Sequence, residues 1–208
     1  MWKTAKITIS FIGRLCGSVP LKKEIVDAWL TARMPKEKPE EGRSLEEIKN
    51  EVLESIQETE EKVTLGFQNN KNGLIVRGGC WKAHLKDCAN EIKKSIKPEI
   101  KAMRSKVANK IYVDEYFVHL KRNGKDISQS DGTFDQPVHV MTPLGPRNAL
   151  KTIQYVEKAI VTFHLKLLED KEITPEIVQQ IFEYGKIHGF GGERGMGEGR
   201  YEFEIEWQ

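Results

Sequence analysis

Long apolar runs are missing from this chain of 208 residues, and none approaches the length of a membrane-spanning helix. The opening, MWKTAKITIS, lacks the apolar stretch of a secretory signal. Cysteine is scarce as well. The three residues Cys16, Cys80 and Cys88 are an odd number without a CxxC pair, which argues against a disulfide framework and fits a reducing compartment. The cytoplasm is therefore the expected location. Internal repeats and low-complexity tracts are absent too. What remains, 38% hydrophobic and 31% charged, is the composition of a globular chain long enough to bury a sizeable core.

The net charge of +2 is unevenly spread. Residues 36–62 hold ten acids and five bases, whereas residues 82–110 hold nine bases and three acids. A basic element beside an acidic one suits a polyanion, with the acidic part turned away or facing a partner; two solvated helices with unequal faces would read the same way.

Periodicity supplies the elements. Ile7, Ile9 and Phe11 alternate with Thr8 and Ser10, as in a half-buried strand. Ile25, Val26, Trp29 and Leu30 share one helical face. After the breaker segment MPKEKPEEG, Ser44 and Glu47 form a capping box for a second helix striped by Leu45, Ile48, Val52 and Ile56. A hairpin is expected over 63–77, turning near Asn72-Gly73. Trp81, Leu85, Cys88, Ala89, Ile92 and Ile96 share one face of a helix over 80–96, and a shorter basic helix follows Pro98 to about Asn109. Residues 111–120 read as a strand, and 138–158 as an arm with strand-like ends around a Pro/Gly kink. Val161, Phe163, Leu165 and Leu167 mark another strand. Thr174-Pro175-Glu176 starts a helix whose buried side is Ile177, Ile181 and Tyr184. Tyr201, Phe203, Ile205 and Trp207 then alternate with glutamates.

With the helical insertion at about 18–62, the hairpin and the arm set aside, the order is strand, helix, strand, strand, helix, strand. That predicts an α+β protein, a single domain over 1–208, on a ferredoxin-like (RRM-like) β-α-β-β-α-β core.

The sharpest local feature is GFGGERGMGEGRYEF, with six glycines in the eleven residues from Gly189 to Gly199. Such a backbone folds into concavities whose N–H groups suit phosphate oxygens, and Arg194 and Arg200 add charge. The loop runs from helix to strand and lacks a Gly-Lys-Ser/Thr ending, so it is neither a dinucleotide fingerprint nor a P-loop. A flexible connection, or glycines that let helix and sheet pack closely, is the alternative.

In this order, helix, GG-x-R-x-x-G-x-G-R, strand, the C-terminal region resembles the glycine-rich loop of the RAMP superfamily of CRISPR-associated proteins. GLIVRGGCWKAHLKD sits where that family carries a segment leading into its first core helix, without the family's proline and serines, and ITISFIGRL matches the placement of its first strand. The single-domain layout and the thumb-like arm are most like the RNA-binding backbone subunits of CRISPR effector complexes, proteins of antiviral defence. The resemblance implies a ribonucleoprotein component that binds single-stranded guide RNA non-catalytically, with copies of itself and other effector-complex subunits as partners, and with no membrane and no cofactor. By position in the matching motifs it implies RNA contacts from Arg77, Lys82 and Lys86, from Gly192, Arg194, Gly195, Gly197 and Arg200, and from Arg147 and Lys151 in the arm. There Leu150, Ile153 or Tyr155 would wedge or stack on bases, or pack in a core.

Catalytic signals are weak. The histidines at 84, 119, 139, 164 and 188 are scattered. Cys80, His84 and Cys88 share a helical face but lack a fourth ligand for zinc, so no metal is expected. His84 or His188 as general base would make a RAMP-type endoribonuclease, and Asp27 is the insertion's one candidate for a target-cleaving acid. A mobile-element protein that binds single-stranded DNA, or that interferes with a CRISPR complex, is a further alternative.

Overall fold

A computed structural model describes residues 1–21, 63–142 and 145–208, with the side chains of 63–64 and 138–150 excepted. The two helices expected at Ile25–Leu30 and from Ser44, and Asp27 with them, lie outside the described residues.

The elements are the strands β1 (Trp2–Phe11), β2 (Arg14–Cys16), β3 (Val19–Pro20), β4 (Val63–Gly66), β5 (Gln68–Asn70) and β6 (Gly73–Arg77), then helices α1 (Gly78–Ile92) and α2 (Met103–Lys110). They continue with β7 (Ile111–Val113), β8 (Phe117–His119), β9 (Lys121–Arg122), β10 (Lys125–Asp126), β11 (Gly132–Thr142), β12 (Gly145–Glu157), β13 (Ile160–Leu168), α3 (Pro175–His188) and β14 (Tyr201–Trp207). The fold is mixed α+β with mainly antiparallel sheets. By contacts the chain divides into a unit of Met1–Cys16, Phe67–Asp131 and Tyr155–Gln208, and a unit of Gly17–Gly66 and Gly132–Gln154.

In the first unit β1 is central, because its alternation gives it one fully apolar face. Ala5, Ile7, Ile9 and Phe11 are buried. The strand pairs antiparallel with β13 from Trp2↔Leu168 to Ser10↔Ile160, and with β14 from Ala5↔Trp207 to Phe11↔Tyr201. On the outer side of β13, β7 pairs at Leu165↔Val113 and Leu167↔Ile111. The sequence of strands across the sheet is thus β7, β13, β1, β14, with β14 at an edge.

Helix α1 carries Trp81, Leu85, Cys88 and Ala89 into this face, each fully buried and worth on the order of 1–3 kcal/mol for the large side chains. Trp81 stacks on Phe190 at 3.8 Å and on Phe163 at 5.0 Å. Helix α3 starts where expected: Thr174 Oγ1 accepts from the Ile177 N–H, and Pro175 follows in the first turn. Its buried side is Val178, Ile181, Phe182 and Gly185, with Ile177 and Tyr184 only partly covered, so the stripe is turned by one position from the sequence expectation.

The strand expected over 111–120 is broken. After Val113 the chain leaves β13, and the Glu115 carboxylate accepts from the His164 N–H and meets its ring Nδ1 at 2.7 Å. Phe117–His119 then pairs with β6 instead, Arg77 opposite Phe117. The hairpin expected over 63–77 turns near Asn72-Gly73, with Asn70 Oδ1 accepting from the Asn72 N–H, but it spans only Gln68–Arg77, because Val63–Gly66 pairs with β3 and β12. The helix expected to Ile96 ends at Ile92.

In the second unit, β12 runs parallel to β4 at Thr152↔Val63 and Ile153↔Leu65, β3 pairs antiparallel with β4, and β11 lies beside β12.

Candidate nucleic-acid interface

Helix α1 begins without a side-chain cap. Arg77 occupies the cap position in an extended conformation, and no acid lies in the first turn. The first N–H groups of such a helix need partners and carry partial positive charge. Its two opening glycines do different things. A Cβ on Gly78 would sit 2.0 Å from the Glu115 carbonyl oxygen, so that position serves packing, whereas Gly79 faces open space. Arg77 is exposed and its Nε donates to Gln68 Oε1 at 2.8 Å.

Lys82 and Lys86 lie one turn apart on the flank of α1 next to β7. The Lys82 ammonium stands 3.8 Å over the ring of Tyr112. Partial burial and then the neighbouring charge of Lys86 push its pKa down from the ordinary lysine range. Neither lysine has an acid partner among the described residues.

The glycine-rich loop lies along another side of the helix. Arg194 Nη1 donates to His188 Nε2 at 2.9 Å, and the His188 ring stacks on Tyr184 and on His84 of α1. His84 is two positions from Lys82, about 200° around the helix. The residues predicted for one interface therefore occupy two flanks of α1. Lys82 and Lys86 share one flank, Arg77 stands at the cap position beside Gln68 and opposite Phe117, and Arg194 and Arg200 belong to the loop on the other side.

Within the loop, most N–H groups are engaged internally. Phe190 donates to the Gly199 carbonyl, Gly199 to that of Arg14, and Gly192 to that of Cys16. Gly197 donates to Arg194, and Met196 and Glu198 to Glu193. Gly195 faces open space and Arg200 is exposed. The Arg14 guanidinium pairs with Glu198 and covers the Tyr155 ring at 5.4 Å. Loop geometry is thus set chiefly by the protein itself.

In the arm, Arg147 and Leu150 fall in β12 but outside the described side chains. Lys151 is half-buried and Ile153 fully buried, which makes Ile153 a packing residue. Tyr155 belongs to the Arg14 cluster.

The candidate general base His84 is 4% exposed, with Nε2 2.9 Å from the Tyr201 hydroxyl and Cys88 Sγ at 3.7 Å. Burial, reinforced by His188 and Arg194, pushes its pKa down to about 3, and burial pushes the Cys88 thiol up to about 12. A neutral imidazole sealed under the sheet cannot reach a substrate. Cys80 is exposed, and no group of three metal-ligating side chains occurs among the described residues.

Four exposed rings were not among the residues expected from the sequence. Trp2, Tyr112, Tyr116 and Phe117 are all exposed, and their only signal was aromatic residues at otherwise solvated strand positions. Opposite the helices lies the open face of the sheet. That face presents Glu202, Glu204 and Glu206 on β14, while its cations are paired: Lys6 with Glu206, Lys166 with Asp114. No helix among the described residues is long and apolar enough to cross a membrane.

No family model matches the chain, and no curated protein matches it in sequence. Among solved structures, it is similar to a chain in the cryo-EM structure of the Type III-B Cmr-beta bound to cognate target RNA, with a TM-score of 0.49 and 10% identity. The match covers 99% of this chain and 60% of that one, so the chain spans about three fifths of its neighbour's length.

Proposed function

We propose that this chain is a single-domain RAMP-type protein on a ferredoxin-like core that binds single-stranded RNA without cleaving it, as a backbone subunit of a CRISPR-type ribonucleoprotein. The strand order β7, β13, β1, β14 with α1 and α3 on one face supports the ferredoxin-like reading. The observation that carries the RNA reading is the acid-free, uncapped start of α1, with Arg77 at its cap and Lys82 and Lys86 along one flank. Cations at a helix N-terminus hold a phosphate backbone without reading its sequence. Copies of the chain and other effector subunits are the expected partners, with Arg194, Gly195, Gly197 and Arg200 making further contacts along the same strand.

Purification of the protein from its native host, followed by sequencing of the nucleic acid that travels with it, tests this. Guide-length RNA of uniform size is the expected result. Cleaved repeat ends point to the endoribonuclease, and single-stranded DNA to the mobile-element protein. Absence of nucleic acid at low salt overturns the reading.

A further inference from the structure

Four exposed rings on β1, β7 and the start of β8 call for an explanation that phosphate binding alone does not provide. Trp2 is 53% exposed, Tyr112 41%, Tyr116 68% and Phe117 43%. Leaving large rings partly in water forgoes stabilisation that burying them would give, and clustered exposed apolar surface marks an interaction site. These rings are arranged in two pairs. Trp2 meets Tyr112 edge-on with centroids 5.8 Å apart, and Tyr116 meets Phe117 at 4.6 Å.

Each pair has a cation from the start of α1. Lys82 stands over Tyr112, and Arg77 is directly opposite Phe117 in the β6–β8 register, so the two side chains share a face. The backbone between the pairs is anchored, because the Tyr116 carbonyl accepts from the Gly78 N–H and the Asp114 N–H donates to the His164 carbonyl.

We infer that Trp2–Tyr112 and Tyr116–Phe117 form a platform on which unpaired nucleobases of a single strand stack while Arg77 and Lys82 hold the adjoining phosphates. This rests on the single-strand reading above and adds what that reading lacks, a contact with the bases. Stacking is tolerant of sequence, since every base has a π-face, but it requires bases free of a duplex. It also persists at salt concentrations that weaken phosphate contacts.

The test uses the full-length protein and fluorescence anisotropy with three labelled probes: an RNA of about 12 nucleotides of mixed sequence, a strand of the same length made of abasic residues, and the corresponding duplex. The parent should bind the mixed-sequence strand more tightly than the other two. Trp2→Ala and Tyr112→Ala should each weaken binding of that strand by about 5- to 100-fold, the range for losing one stacked base, leave the abasic strand unchanged and preserve the salt slope. Tyr112→Phe should restore binding. Because Trp2 and Tyr112 are exposed, thermal melts should match the parent; Tyr116→Ala gives an independent reading if either fails to fold. Parent-like binding by all alanine variants overturns the platform and leaves the phosphate grip standing. Equal loss on the abasic strand, or a preference for duplex, overturns it too. Failure of the parent to bind any probe removes the single-strand reading itself.

Discussion

His84 shows how one buried residue couples the core to pH. Its imidazole is neutral in the folded chain because desolvation, with His188 and Arg194 nearby, holds its pKa at about 3 against an ordinary 6.5. The unfolded chain therefore binds a proton between those values that the folded chain refuses. Stability from this group is complete above pH 6.5 and is lost as pH falls towards 3, at up to about 1.4 kcal/mol per unit. His84→Gln keeps a hydrogen-bonding side chain for the Tyr201 hydroxyl but cannot charge. Chemical denaturation between pH 7 and 5 should cost the parent roughly 2 kcal/mol and the variant much less, the remainder coming from His188, whose pKa burial also lowers. Parallel pH profiles would sink the assignment.

At the scale of elements, the glycine-rich loop separates what a glycine permits from what it is needed for. Gly199 has φ +74° and a Cβ there would lie 1.9 Å from the Phe190 carbonyl oxygen, so Gly199→Ala should destabilise by at least about 2 kcal/mol and melt lower whether or not RNA is present. Gly195→Ala enters open space and should leave the melt within about 0.5 kcal/mol of the parent. Its effect on RNA affinity then reports contact alone; no effect would make the loop a packing device. The loop's position, between α3 and β14, was legible in the sequence because helical and alternating periods flank it. The partners of its N–H groups were not, since the Arg14 and Cys16 carbonyls lie far away in the chain. The same contrast holds elsewhere. Val161, Phe163, Leu165 and Leu167 announce β13 by alternation, and Thr174 announces α3 by its cap. The break after Val113 and the exposure of Tyr112 depend on which strand neighbours β13, and only the assembled sheet decides that. Lys82 and Lys86 share a helix flank by spacing alone, whereas the separation of that flank from Arg194 follows from where α3 delivers the loop.

Across the whole described molecule, charge is sorted by surface. The sheet edge carries Glu202, Glu204 and Glu206, which repel phosphate and also guard β14, the edge strand of its sheet among the described residues, against pairing with another chain. The first half of α1 carries Arg77 at its cap and Lys82 and Lys86 on one flank, without acid partners among the described residues. An RNA held there should ignore sequence and feel salt: its three phosphate contacts contribute about −2 to the slope of log affinity against log salt concentration. Arg77→Ala, Lys82→Ala and Lys86→Ala together should remove most of that slope while the stacked bases keep a weak, salt-insensitive residue of binding. Gln at positions 202, 204 and 206 should leave slope and affinity unchanged or slightly raise the latter, and should increase self-association on gel filtration. Titrations at several salt concentrations with two unrelated strands of equal length decide the matter. If affinity differs strongly between the strands and hardly falls with salt, or if the three alanines leave the slope intact, the start of α1 is not where the backbone lies.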